Sequence, residues 1–240
     1  MRRFELTHCN ARRSNASHCF QAIGAVLAGV VSSDVSAAGH FAVDDAAILD
    51  EGQCQVEVWT EHDQRARRRL LHLGPACRKG PFEVGLNVDR TSITGAVTTD
   101  ILGPQLKWAH SVASSVSLGI VAGAFWQIGP TRYLGPTFYV PLSWRLTDAV
   151  QVDVNVGRDY PRGLASHSRD GIAIAWQADA NWRVIAERFK QSDDNFVRLG
   201  LRRQVSASLN IDLSNARSLR AGTLNWWSLG LNWTFDRAKG

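Results

Sequence analysis

The sequence predicts an all-β fold: a closed antiparallel up-and-down transmembrane β-barrel of about twelve strands, made after a signal peptide is cleaved. Three observations predict it. The stretch Val150-Gln-Val-Asp-Val-Asn-Val156 alternates strictly, with valines on one face and Gln151, Asp153 and Asn155 on the other, as a strand between an apolar and a polar medium requires. The same beat returns along the chain, with short turns between, and never gives way to a helical period. Tryptophans fall near the ends of these segments on the apolar parity, where amphipathic rings sit at a membrane–water boundary. Alternation alone also fits a secreted β-sandwich with its apolar face turned inward. A sandwich core would hold its large aromatics mid-strand, so the tryptophans favour the barrel.

Residues 1–38 read as the leader. Arg2, Arg3, Arg12 and Arg13 form a positive region, Cys19 to Val31 is apolar apart from Gln21, and Ser36-Ala37-Ala38 supplies small residues for cleavage. The apolar run is shorter than the roughly 20 residues of a spanning helix. The longest later run, Leu118 to Trp126, is shorter still, so a membrane could be crossed only by a closed barrel that satisfies its own backbone groups. The chain has 27 Lys and Arg against 22 Asp and Glu, and the leader takes four arginines and two carboxylates with it. The remaining charge is mild and mixed, which argues against nucleic acid as a partner.

Residues 39–52 are expected to fold into the periplasmic mouth as a plug or to cap the first strand. The barrel proper is expected over 53–235, with a short tail at 236–240. Strands are expected at 53–62, 69–78, 82–91, 99–109, 116–127, 131–146, 150–160, 168–178, 182–191, 196–206, 209–217 and 226–235. The tight turns at Thr147–Ala149, Asp179–Asn181 and Ser206–Ser208 belong on the periplasmic side, and the longer pieces at Arg90–Thr98 and Tyr160–His167 outside. In a hairpin of the first two strands Cys54 lies opposite Cys77, which suits a cross-strand disulfide in an oxidising periplasm.

The outward parity carries the aromatic girdle: Trp108, Trp144, Trp176, Trp182 and Trp233 towards the periplasmic rim, and Trp126 and Trp227 towards the outer rim. The inward parity collects charges of both signs, Glu57, Glu61, Glu83, Asp89, Lys107, Arg145, Asp153, Arg183, Glu187, Arg198, Arg202 and Asp212, which are expected to line the lumen. Opposed charges across a pore select small polar solutes, while a fully paired set closes a narrow barrel, and both states remain open here. Leu-Gly-Pro occurs at 73–75, 102–104 and 134–136, and Gly171, Gly200 and Gly230 continue the series on inward parity. Such glycines allow strand bends and leave lumen space. Pro104, Pro136 and Pro141 each remove a ladder hydrogen bond, so a bulge or local break is expected at each.

The segment His40-Phe-Ala-Val-Asp-Asp-Ala-Ala-Ile-Leu-Asp-Glu-Gly-Gln-Cys-Gln-Val-Glu57 resembles the opening of the MetA-pathway of phenol degradation family of outer-membrane proteins, with its His, Asp-Asp pair, Gly and Gln-x-Glu strand. The inner Gly-Pro strands and the aromatic strand Trp227–Phe235 are also similar to that family. The resemblance implies an outer-membrane barrel that transports small compounds, aromatic ones among them. This chain departs by adding the Cys54/Cys77 pair and by continuing past Phe235.

Catalytic and metal chemistry find little footing. His40, Asp44 and Asp45 lack a metal-ligand spacing. His167 and Ser168 are neighbours on an extended chain and point apart, and no Gly-x-Ser-x-Gly elbow occurs. The expectation is a passive channel or uptake barrel of the bacterial outer membrane, not an enzyme and without a cofactor. Its partners would be membrane lipid, an unidentified small solute and, through the C-terminal strand, the barrel-assembly machinery. A plugged structural barrel and a lipid-acting hydrolase are the alternatives.

Overall fold

A computed structural model describes residues 40–63, 65–192, 194–220 and 224–237. The predicted leader, 1–38, and the last three residues of the predicted tail lie outside the described residues. The strands are β1 (Gln53–Asp63), β2 (Arg68–Lys79), β3 (Phe82–Ile93), β4 (Thr99–Ala113), β5 (Val116–Ile128), β6 (Arg132–Arg145), β7 (Val150–Asp159), β8 (His167–Ser168), β9 (Gly171–Gln177), β10 (Trp182–Gln191), β11 (Asp194–Ser206), β12 (Leu209–Ser218) and β13 (Asn225–Asp236). Each pairs antiparallel with its neighbours, and β1 pairs with β13, so the sheet closes on itself. The piece β8 pairs only with β7 and continues the line of β9. The barrel therefore has twelve strands, one of them in two pieces.

The expected strands match within a few residues except for 168–178, which splits at Arg169 and Asp170. Short polar side chains build several of the turns. Thr147 Oγ1 accepts from the Ala149 and Val150 amides, and Asp179 Oδ1 accepts from Asn181 and Trp182. At the opposite end, Asp63 Oδ1 accepts from the Ala66 amide. Cys54 and Cys77 face each other in the β1–β2 register and are joined by a disulfide.

The prolines interrupt the ladder locally, and the register is the same on both sides of Pro104 and Pro141. Pairing between β4 and β5 lapses from Leu102↔Trp126 to Gln105↔Gly123, across Gly103-Pro104. Between β5 and β6 it lapses from Leu118↔Leu142 to Val121↔Tyr139, across Pro141, and it shifts register beside Gly135-Pro136. Gly135 adopts φ +137°, and the Tyr160 carbonyl approaches the space a side chain would need there.

The burial pattern is inverted relative to a soluble protein. Val84, Leu213 and Leu229 are about half exposed on the outer wall, whereas Asp212, Asn232, Ser228 and Glu187 are buried inside. Acyl chains satisfy the first set and lumen partners the second. An apolar cluster of Val43, Ala173, Phe189, Phe196, Ala216 and Trp226 fills one end of the lumen. It lies at the outer end when β1 rises from the periplasm.

Candidate functional site

The strand registers place the expected lumen charges on the inward face, and many sit directly opposite one another. Glu83 faces Lys107, Glu187 faces Arg198, Arg202 faces Arg183 on one side and Asp212 on the other, and Asp89 faces His72. Cross-strand placement makes their pairing local. Arg202 grips Asp212 with two hydrogen bonds of 2.7 and 2.8 Å. Arg198 lies 3.3 Å from Glu187 and 3.8 Å from Glu61, and Glu61 also pairs with Arg68. Asp153 accepts from Ser143 at 2.5 Å and from Gln151 at 2.9 Å, and Arg183 donates to Gln177 at 2.8 Å. Glu57 accepts from Asn232 at 3.1 Å. Arg145 is exposed at its strand end.

Into this lumen runs the segment 40–52, here called the strap. Wall side chains capture its backbone along most of its length. Glu187 accepts from the amides of Ala42 and Val43 at 3.1 and 3.0 Å. Ser143 accepts from Ala46 at 2.8 Å and Glu83 from Leu49 at 3.0 Å. Arg198 donates to the His40 carbonyl and Arg78 to that of Leu49. With its amide oriented to match donors with acceptors, Asn155 brackets Asp44, accepting from its N–H and donating to its C=O, both at 2.8 Å. The wall thus meets the strap's hydrogen-bonding needs as a sheet edge would, but with side chains.

The strap's own side chains complete the fit. Lys107 Nζ lies 2.9 Å from Asp44 and 3.4 Å from Asp45, and the Tyr139 hydroxyl donates to Asp44 at 3.2 Å. His40 Nε2 and Ser214 Oγ share a hydrogen bond of 2.6 Å, and His40 Nδ1 stands 3.9 Å from Asp212. Burial first, and then the charges of Arg198 and Arg202, hold the His40 imidazole well below its usual range. His40, Asp44 and Asp45 therefore serve separate partners and do not converge on one point.

The last three glycines of the predicted series face the strap. A Cβ on Gly171 would stand 2.6 Å from Val43, one on Gly200 2.6 Å from the Phe41 ring, and one on Gly230 2.9 Å from His40. The sequence assigns these glycines to strand bends and to lumen space, and the strap occupies that space. Gly74 similarly leaves room for the His72 ring, which stacks on Trp59 and bonds Asp89 at 2.6 Å.

Trp59 and Trp226 were missing from the sequence-derived site. Their registers, Trp59 opposite Gly230 and Trp226 opposite Ala216, place them inside the barrel. Parity held the signal, since Trp59 lies two residues from both Glu57 and Glu61. The seven girdle tryptophans lie on the outward parity, and Trp144, Trp176, Trp227 and Trp233 are exposed there. His167 pairs opposite Asp159 and Ser168 opposite Arg158, so the two side chains leave opposite faces of the wall. That separation builds no nucleophile–base pair.

No curated protein sequence matches the chain. Among solved structures, the barrel is similar to the KdgM porin in complex with disordered oligogalacturonate, at 11% identity and TM-score 0.61 over 75% of this chain and 99% of that one. It is also similar to the NanC porin, at 9% identity and TM-score 0.53 over 74% and 98%. The Ralstonia pickettii toluene transporter TbuX aligns at 10% identity and TM-score 0.49, over 78% of this chain and 89% of that one. At these identities the porin likeness establishes the fold. With the lipid-facing wall and the aromatic girdle, that fold places the chain in the bacterial outer membrane. A family model described as "Uncharacterised conserved protein UCP029691" matches residues 25–235, and the chain belongs to that family.

Proposed function

We propose that this chain is an outer-membrane uptake channel for small compounds, held closed at rest by residues 40–52. The observation that carries the reading is the strap itself. The strap buries Phe41, Val43, Ala46 and Leu49, yet among the described residues no strand ladder holds it: between Asp44 and Leu49 its backbone and carboxylates are tied to single wall side chains, Lys107, Ser143 and Glu83. The Ser143 tie contributes roughly 0.5–1.5 kcal/mol net and each tie to a charged group roughly 1.5–3 kcal/mol, so the set can be released in steps. Residues 1–38 are read as a leader whose removal after Ala38 frees the strap's leading end. The strand β13, which closes the barrel against β1, is read as the segment recognised by the assembly machinery.

The resemblance of residues 40–57 to the phenol-degradation family supports aromatic compounds among the solutes. The inward rings of Trp59, Trp226 and Phe125 offer surfaces for them. Liposome swelling tests the reading. Vesicles bearing a variant that lacks residues 40–49 should swell in small neutral and aromatic solutes, faster than vesicles bearing the intact mature chain. Equal impermeability of both preparations would sink it.

A further inference from the structure

The wall between β7 and β9 is parted. The two strands pair from Val150↔Trp176 to Asn155↔Gly171, and above that point β7, still paired with β6 on its other side, pairs here with the short β8. At the parting the Gly157 amide donates to the Asp170 carboxylate at 3.4 Å, and the Arg169 amide donates to the Gly157 carbonyl. The gap opens a crevice of about 350 Å³ lined by Phe138, Val156, Arg158, Tyr160, Ser168 and Asp170. Phe138, Val156 and Tyr160 are exposed there, on the parity that faces lipid.

Basic side chains gather around this crevice on the same outward face. Arg158 lies opposite Ser168 and donates to Ser166 at 2.9 Å. Lys190 lies 3.8 Å from Asp170, both partly exposed. Arg188 donates to Asn195 and, two strands further on, Arg217 stands level with Arg188 across Val197. Among the described residues, Arg158, Arg188, Lys190 and Arg217 thus run from β7 to β12 along the outward face at the level of the outer headgroups, with Asp170 among them. The aromatic girdle is correspondingly thin there: its outward tryptophans fall mostly at the periplasmic rim.

We infer that this patch is a binding site for a phosphorylated glycolipid of the outer leaflet, with an acyl chain lodged against Phe138 and Val156 and phosphate held by Arg158, Arg188, Lys190 and Arg217. Guanidinium groups suit phosphate because they donate paired hydrogen bonds to it. Apolar burial beside them supplies affinity that a free anion would not gain. Basic pockets at membrane depth bind lipid headgroups on the same principle. The parting in the wall lets the chain approach closer than a continuous strand surface would.

The test is native mass spectrometry of the mature barrel in detergent, titrated with bis-phosphorylated lipid A, dephosphorylated lipid A and phosphatidylglycerol. The expected result is at least tenfold tighter retention of the bis-phosphorylated form than of the other two. The combined Arg158→Ala, Arg188→Ala, Lys190→Ala and Arg217→Ala variant should lose that preference. A periplasmic-rim control, Lys79→Ala with Arg203→Ala, should keep it, and heat-modifiable gel mobility verifies that each barrel is folded. The comparison among lipids needs only the wild-type chain, so a variant that does not fold leaves the inference testable. Equal retention of both lipid A forms, equal retention of phosphatidylglycerol, or an undiminished preference in a folded rim variant would overturn it.

Discussion

Phe41 and Gly200 meet where no further carbon fits. A Cβ at Gly200 would stand 2.6 Å from Cε1 and Cζ of the Phe41 ring and 3.0 Å from Ser214 Cβ. Gly200→Ala must displace the ring or bend β11. Overfilling a packed site by one carbon costs about 1–3 kcal/mol. Ladders to β10 and β12 hold β11 on both sides, whereas single side chains hold the strap, so the strap yields first. At about 2 kcal/mol, its unseated fraction rises roughly 30-fold. Hydrogen exchange at the Ala42 and Val43 amides, both bonded to Glu187, should accelerate by that factor, while β10 and β11 amides keep their protection.

Phe41→Ala removes the same contact from the other side. The buried ring contributes about 1.5–3 kcal/mol to seating, so exchange again accelerates. In that background Gly200→Ala has nothing to strike, and its added effect should fall below about 0.5 kcal/mol. The cycle is therefore strongly non-additive. If Gly200→Ala acts equally with and without the Phe41 ring, or leaves exchange unchanged, the glycine does not seat the strap and the reasoning fails.

Three further predictions follow the same geometry. Lys107→Met strands Asp44 and Asp45, and breaking a buried pair costs about 3–5 kcal/mol, so maleimide should label an Ala46→Cys probe at least tenfold faster than in the Lys107 parent. His40 sits in the seated strap well below its ordinary value of 6.5 and returns towards that value when released, so release takes up a proton. Seating is then most stable above pH 6.5 and weakens as pH falls below it. Channel openings should become more frequent between pH 7 and 5, and a response unchanged in His40→Gln would refute the assignment. Cys77→Ser removes a bridge between residues 23 apart, a loop closure of about 3 kcal/mol, and should lower the temperature at which the barrel unfolds in detergent gels.

The barrel was legible because its signal is local. Alternation at Val150–Val156 reports a strand from seven residues, and the turn at Asp63–Arg68 fixes which cysteine faces Cys54. The strap's seat was hidden because it is long-range: Gly200 and Phe41 are 159 positions apart, and a glycine in a strand reads first as a bend. Trp59 and Trp226 carry their signal in parity alone, whereas the other seven tryptophans share the outward parity of the girdle. At the split of the expected 168–178 strand the Gly157 amide donates to the Asp170 carboxylate, a contact with no periodic signature.

Single-channel recording in planar bilayers tests the central claim most directly. The intact mature chain should rest closed with brief steps, and a folded variant lacking residues 40–49 should conduct steadily at larger unitary current. Indistinguishable traces from the two, whether silent or open, would contradict the account.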